Sequence, residues 1–293
     1  MKSASPAHPT KPAIAWRSGR ISPKTRSSTP RASVSPPSAG ARTSRPHSKS
    51  SAAPDAMSRD DEQQRLIRSQ WDTTKATGNK MWQQKRRLAD AMRLVIERLV
   101  PSNAPEDELS RAADALERYA EQLKKHPRLK KVMGHAESAN AGDVGAFFDQ
   151  SPLIGLANPL APPVTLSHTG EQTAEGAVTF GSAYEGPPGS VHGGFVAAAW
   201  DEVLGFVQSL GGNPGFTGRL TIHYRNPTPL HTELRFKARI LRIVGRKTFT
   251  EGEMYAGDML CAEAEGLFIA AKPGRLEELS KAREALEERL SGS

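Results

Sequence analysis

The fold is decided by the stretch Gly186–Gly212, which reads GPPGSVHGGFVAAAWDEVLGFVQSLGG. Its turn, Pro187–Ser190, leads into the nearly all-apolar segment Val191–Leu210, and the two glycines that follow are typical of a helix end. This segment is therefore predicted to form a helix. Because a helix that is apolar all round must be buried on nearly every side, other elements of the chain must cover it.

Short segments of alternating polarity lie on both sides of this helix in the sequence. In residues 234–240, four apolar side chains alternate with three basic ones, which is the period expected for a strand with one covered face. Turns of roughly two to five residues between the later segments favour antiparallel hairpins. The sequence predicts an α+β fold in which an antiparallel sheet wraps around the central helix. The predicted strands are Ala177–Ala183, Thr217–Arg225, Leu234–Ile240, Thr248–Ala256 and Leu260–Ala271.

Residues 1–56 differ in composition from the rest of the chain. Residues 1–54 contain four Lys, six Arg and no acidic residue, so they account for more than the whole net charge of +8. With few large apolar side chains, this Ser-, Pro- and Arg-rich tail is predicted to be disordered. It is interpreted as a non-essential extension, a transit peptide or a weak polyanion-binding segment.

Four further regions follow the tail. Residues 57–125 are predicted to be helical, with two apolar stripes that pack on each other or on the next domain. Residues 126–162 are predicted to be a linker, residues 163–273 the domain of sheet and central helix, and residues 274–293 a C-terminal helix. The two stripes consist of Leu88, Met92, Val95 and Leu99, and of Leu109, Ala112, Leu116, Ala120 and Leu123.

Several functional classes are disfavoured by what the sequence contains. It has no G-x-S-x-G elbow and no phosphate-binding loop, which argues against a serine hydrolase and an NTPase. A single cysteine excludes an intramolecular disulfide, and no apolar run approaches the roughly 20 residues that span a bilayer. We expect a cytoplasmic protein without membrane or specific nucleic-acid partners, or a mitochondrial one if the tail is a transit peptide. No cofactor or metal is expected, because the spacing of His168, His223 and His231 does not suit metal ligands.

The start of the central helix has the features of an oxyanion site. His192, Gly193 and Gly194 open the helix, and the N–H groups of a first turn have no intrahelical partner. Such groups can donate to a carbonyl oxygen that gains negative charge. Asp201 and Glu202 follow about two turns later, where apolar neighbours are expected to bury a carboxylate and raise its pKa.

These residues resemble the H-G-G motif of the PaaI-like hot-dog thioesterases, a family that includes acyl-CoA hydrolases. Asp201 follows His192 by nine positions, and Thr217–Leu230 matches a strand pattern of the family, T-x-x-L-x-I-x-Y-x-x-P-x-P-L. The resemblance covers about residues 149–271. It implies a hot-dog fold, an acyl-CoA substrate and a homodimer or homotetramer.

The resemblance also implies roles for individual residues. Gly193 and Gly194 would present N–H groups to the thioester oxygen, and Asp201 would act as general base or as nucleophile. Thr217 would help to position water or the carboxylate from across a dimer interface. His192 is interpreted as a catalytic residue or as a residue that orients the loop, and spacing alone leaves Glu202 as an alternative to Asp201.

Substrate-binding residues and a second function stay open at this stage. Arg225, Arg246 and Lys247 are interpreted as contacts to the phosphates of CoA or as ordinary surface charges. Trp200 and Phe206 are interpreted as the lining of an acyl tunnel or as core residues. The alternative function is a non-catalytic acyl-CoA sensor, in which the acid of the central helix would not be needed.

Overall fold

The computed structural model describes residues 72–73, 76–127, 148–212, 215–272 and 274–291. The predicted tail, residues 1–56, lies outside the described residues, as does most of the linker's first half. The structure has four α-helices, one 3₁₀ turn and six strands within the described ranges. In chain order they are α1 (Lys80–Leu99), α2 (Glu106–Lys124), β1 (Thr165–Gly170), β2 (Thr173–Thr179), the 3₁₀ turn Ser182–Tyr184, α3 (Gly193–Ser209), β3 (Gly215–Tyr224), β4 (Glu233–Val244), β5 (Lys247–Ala256), β6 (Met259–Ala270) and α4 (Arg275–Ser291).

The six strands form one antiparallel sheet in the order β1-β2-β4-β5-β6-β3. The sheet curves around α3, whose side chains Val196, Trp200, Val203, Leu204 and Val207 are buried against it. Alternate residues of β4 point into the same core, as the period of two predicts. The predicted hot-dog architecture is therefore confirmed. Strands β1 and β3 are the two edges of the sheet.

The strand predictions were wrong at one end of the sheet. The strand expected over Ala177–Ala183 ends at Thr179, because the chain turns there into the 3₁₀ segment Ser182–Tyr184. Strand β1 was not predicted, since its sequence TLSHTG is mostly polar and only Leu166 is fully buried. Strands β1 and β2 pair with each other, with Thr165 opposite Ala177 and Leu166 opposite Gly176.

Residues 148–163, which include the second half of the predicted linker, pack against the rest of the protein. We call this segment the strap. Asp149 forms a two-bond ion pair with Arg86 of α1, at 2.8 Å for each bond. Arg93, also on α1, donates to the carbonyls of Asn158 and Leu156 at 2.8 and 3.0 Å. Ile154 of the strap is buried in the core. The strap is therefore held between α1 and the domain around α3.

The two N-terminal helices differ in how they are packed. Asn79 caps the start of α1, since its side chain accepts hydrogen bonds from the N–H groups of Met81 and Trp82. Helix α1 buries Trp82 and Ala89. In α2 every residue is exposed. Within the described ranges, no helix is both long and apolar enough to cross a membrane.

Candidate active site

The N-terminus of α3 is organised by His192 and by the end of β3. His192 has extended backbone angles, φ −60° and ψ 130°, and its Nδ1 accepts a hydrogen bond from the Gly194 N–H at 3.0 Å. The hydroxyl of Tyr224 donates to the Gly193 carbonyl at 2.8 Å. The Gly193 N–H is the first of the helix and has no intrahelical partner. His192 therefore caps the start of α3, and the Gly194 N–H that was predicted to bind the thioester oxygen already has an acceptor within the chain.

Asp201 of α3 and Thr217 of the edge strand β3 meet at the exposed edge of the sheet. Thr217 Oγ1 donates to Asp201 Oδ1 at 2.8 Å, and both residues are exposed. Two expectations were wrong here. Asp201 is not buried, because Trp200, one position earlier on the helix, points into the core, whereas Asp201 faces the exposed edge strand β3. Thr217 reaches Asp201 within one chain rather than across an interface.

Glu202 is the carboxylate that the fold buries in part. Burial raises its pKa to about 7, and the charge of Asp201 adds to this rise, while a hydrogen bond from Ser151 opposes it. Ser151 Oγ donates to Glu202 Oε1 at 3.3 Å and also accepts from the N–H groups of Leu153 and Ile154. The perturbed acid of α3 is thus Glu202, which faces the strap.

The two halves of the predicted site are well separated along α3. Gly194 and Asp201 are seven residues apart, which is about 10 Å of helix rise. A thioester carbonyl spans far less than that distance. Strand β3, which carries Thr217 at one end and Tyr224 at the other, is an edge whose residues are mostly exposed.

Comparisons with known proteins show the family to which this chain belongs. Residues 188–263 match the family model described as the thioesterase superfamily. The structure of protein RHA08564, a thioesterase superfamily protein, is 31% identical in sequence, with a TM-score of 0.59, and the match covers 68% of this chain and 99% of that one. The chain belongs to the thioesterase superfamily.

Curated relatives match about a third of this thioesterase-superfamily chain. The acyl-coenzyme A thioesterase THEM4 of Xenopus laevis is 39% identical over 97 residues, or 32% of this chain and 43% of that protein. The human acyl-coenzyme A thioesterase THEM5 is 31% identical over 91 residues, or 30% and 37% of the two chains. The match therefore spans less than half the length of these relatives.

The basic residues predicted to contact CoA lie at opposite ends of the sheet in this superfamily member. Arg225 follows β3 and pairs with Glu263, while both Arg246 Nε and Nη2 donate to the Ala270 carbonyl, at 3.0 and 2.5 Å. Along β6, the positions beside Arg225 and Arg246 are nine residue steps apart, which corresponds to about 30 Å of strand. Lys247 is exposed beside Arg246. One chain does not bring all three together.

The two aromatic residues predicted to line an acyl tunnel lie in the core. Trp200 is 0% exposed and packs edge-on against Phe236, with their ring centroids 5.1 Å apart. Phe206 is 5% exposed, and its ring centroid lies 6.1 Å from that of Phe148. These contacts favour the core interpretation of both residues. Phe195, by contrast, is partly exposed and packs edge-on against Tyr184.

Within the part of the chain that the structure describes, the other histidines and the cysteine are not grouped as metal ligands. Within the described ranges no group of three or more His, Cys, Asp or Glu residues is placed to hold a metal ion. His231 bonds Ser182 at 3.1 Å and lies 3.8 Å from Glu97, and His223 is on the outer face of the sheet. Cys261 is buried, and burial raises the pKa of its thiol, as expected for an unreactive cysteine.

Two contributors to the site were missed in the sequence. Tyr224 stands in the strand pattern that identified Thr217, so its hydroxyl contact with the start of α3 was open to prediction. Ser151 lies 51 residues before Glu202, and a contact over such a separation leaves no local pattern.

Proposed function

We propose that this chain hydrolyses acyl-CoA thioesters, with Asp201 as the carboxylate that activates water or attacks the thioester. The observation that carries the proposal is the 2.8 Å hydrogen bond from Thr217 to Asp201 on an exposed face of the domain's central helix. The activity named for the THEM4 and THEM5 relatives supports the same substrate class.

The hydrogen bond from Thr217 makes the two carboxylate oxygens of Asp201 inequivalent. Its hydroxyl binds Oδ1, which fixes the carboxylate plane and leaves Oδ2 able to accept a proton from water. That water attacks the thioester carbon, the carbon–sulfur bond breaks, and the proton passes from Asp201 to the departing CoA sulfur. In the nucleophilic route Oδ2 attacks the thioester carbon instead, and the carbon–sulfur bond breaks to release CoA as a thiolate. Water then hydrolyses the mixed anhydride, which restores the Asp201 carboxylate, releases the acid and supplies the proton that the thiolate takes up. The contact with Thr217 suits both routes.

We infer that the complete site needs two copies of the chain. Asp201 and the Gly193 N–H are too far apart on one helix to bind a single thioester. The exposed edge β3 offers a long row of unpaired backbone groups, which favours pairing with another strand. Antiparallel pairing of two β3 strands brings the Thr217 end of one to the Tyr224 end of the other. Tyr224 in turn contacts Gly193.

The helix N-terminus of the second copy then supplies the oxyanion donors. The Gly193 N–H points out of the first turn without an intrahelical acceptor, and the positive end of α3 favours a developing oxyanion. A thioester oxygen bound there shares the Gly194 N–H with His192 Nδ1 or replaces that acceptor. The same pairing brings Arg225 of the second copy to the end of the sheet that carries Lys247. These two residues are our candidates for contacts to CoA phosphates.

The test is release of free CoA thiol from a panel of acyl-CoAs of different chain length and aryl content. We expect turnover by the natural chain and a loss of about a thousandfold or more in kcat for Asp201→Asn. Asp258→Asn is the matched control, since Asp258 is an exposed acid in the β5–β6 turn. Equal background release from the natural chain and Asp201→Asn would reject hydrolysis and leave acyl-CoA binding, measured by calorimetry, as the function.

A further inference from the structure

Helix α2 has an apolar stripe that nothing covers within the described part of the chain. Leu109, Leu116 and Leu123 recur at seven-residue intervals, and every one is exposed, Leu116 by 52%. Helices in proteins owe most of their stability to packing of such a face rather than to intrinsic propensity. We call these residues, with Tyr119, the α2 stripe.

Helix α1 carries a second stripe that its own domain leaves open. Its Trp82 and Ala89 pack inward, whereas a different side of the helix is exposed. Residues seven apart on this outer side are apolar, a spacing typical of helices that pair with another helix. This α1 stripe consists of Met81, Leu88, Met92, Val95 and Leu99.

The two helices have opposite charge. Helix α1 contains six basic and two acidic residues, and α2 contains six acidic and three basic residues. The charges also border the stripes, because neighbours in sequence lie about 100° apart on a helix. Lys80 and Arg87 directly precede Met81 and Leu88, and Glu108 and Glu117 adjoin Leu109 and Leu116. Opposite charges beside an apolar seam set the choice of partner in paired helices.

We propose that α2 of one copy lies on the α1 stripe of a second copy. Within one chain both stripes stay exposed, so neither covers the other. In a twofold pair the contact occurs twice, because α1 and α2 of each copy meet α2 and α1 of the other. The acidic helix then sits on the basic one in both places. The contact is separate from the catalytic assignment, since its residues belong to α1 and α2, whereas Asp201, Thr217 and Gly193 belong to α3 and β3.

Disulfide trapping between differently tagged full-length chains tests the contact. Met92→Cys chains are mixed with Leu116→Cys chains in a glutathione buffer. Both positions are near the middle of their helices, so either relative direction keeps them close. We expect a covalent dimer that joins the two tags, since disulfides form only where Cα atoms approach within about 7 Å. Cys261 is buried and does not compete.

The matched control replaces Leu116→Cys with Arg118→Cys, on the opposite side of α2, and we expect at least about fivefold less mixed dimer. A chain that carries both Met92→Cys and Leu116→Cys separates the alternatives. A disulfide within that single chain overturns the proposal in favour of a hairpin. Absence of the mixed dimer also overturns it and leaves another occupant for the stripes.

Amide hydrogen exchange gives a second readout that needs no cross-link. Leu116→Gln is compared with Arg118→Gln over residues 106–124. We expect exchange of α2 about tenfold faster in Leu116→Gln, because the helix loses its packed face. In the natural chain, exchange of α2 should also rise on dilution. Equal exchange in the two variants, with no dependence on concentration, contradicts the proposal.

Discussion

Ser151 Oγ donates a hydrogen bond to Glu202 Oε1 at 3.3 Å, directly beside the Asp201 that Thr217 holds. The two neighbouring acids of α3 therefore have different surroundings. Asp201 is exposed and bonded to a strand, and Glu202 is partly buried beneath the strap. Burial raises the pKa of Glu202 from 4.5 to about 7.

Stability should fall with pH because of Glu202. Below about pH 4.5 its carboxyl is protonated in both the folded and the unfolded chain. Between about pH 4.5 and pH 7 the Glu202 carboxyl ionises in the unfolded chain only, so the free energy of unfolding falls by about 3 kcal/mol, and the fall levels off above that range. Urea unfolding at several pH values should show this slope in the natural chain and lose it in Glu202→Gln. Glu284→Gln, an exposed acid, should keep it.

The Arg86–Asp149 ion pair should be needed to keep the strap in place. Asp149 is buried, and Arg86→Met leaves its charge without this partner. Removal of one member of a buried pair typically costs about 3 to 5 kcal/mol. Arg87→Met is the control, because the neighbouring Arg87 is exposed and bonds only Gln84 among the described residues. Chemical denaturation of both variants measures the difference, and equal stabilities would show that the pair does not hold the strap.

Gly252 of β5 should not tolerate a side chain. An added Cβ would lie 2.6 Å from Trp200 Cζ3 and 2.8 Å from the Lys237 carbonyl, and neither the buried indole nor the backbone can move freely. We expect Gly252→Ala to lower the free energy of unfolding by about 1 to 3 kcal/mol. Gly78→Ala is the matched control, since no atom lies within 4 Å of its added Cβ. Similar melting temperatures for the two variants would contradict the close packing of Trp200.

Much of this fold follows from two local patterns in the sequence. The apolar run of α3 and the alternation of β4 each reflect contacts with a single buried face, so their spacing alone predicts helix and strand. Strand β1 escaped prediction because its pairing with β2, and not its own polar sequence, makes it a strand. The packing of the strap was not predicted for the same reason. It depends on the contact between Arg86 and Asp149, which are 63 residues apart in the sequence.

The contact between two candidate residues follows from the sequence, but the surroundings of that contact do not. The family resemblance selected Asp201 and Thr217, which the fold brings together. Which of Asp201 and Glu202 becomes buried depends on how α3 is rotated relative to the sheet and strap. That rotation is set by Trp200 packing on Phe236, a contact between distant segments that spacing cannot reveal.

The hydroxyl of Thr217 should matter more for turnover than for binding. Thr217→Val removes the donor to Asp201 while keeping the shape of the side chain, so the carboxylate loses its fixed orientation. We expect kcat to fall by about tenfold to a hundredfold with a smaller change in KM. Thr217→Ser retains the hydroxyl and should recover most of the activity. A drop of the same size in Thr217→Ser and Thr217→Val would point to a structural role for the methyl group.

Two inactive variants should restore each other if the site is shared between chains. Gly193→Pro removes the N–H proposed to bind the oxyanion, and the fold accepts it, because proline suits the first position of a helix and His192 already has the extended angles required before proline. We expect kcat to fall by about a hundredfold to a thousandfold in Gly193→Pro, and further in Asp201→Asn. When the two variants are unfolded together and refolded at equal concentration, half of the twofold dimers are mixed. Each mixed dimer holds one site with both Asp201 and Gly193 intact, so about a quarter of the natural activity should return. Refolding of either variant alone is the control, and no recovery in the mixture would place the whole site within one chain.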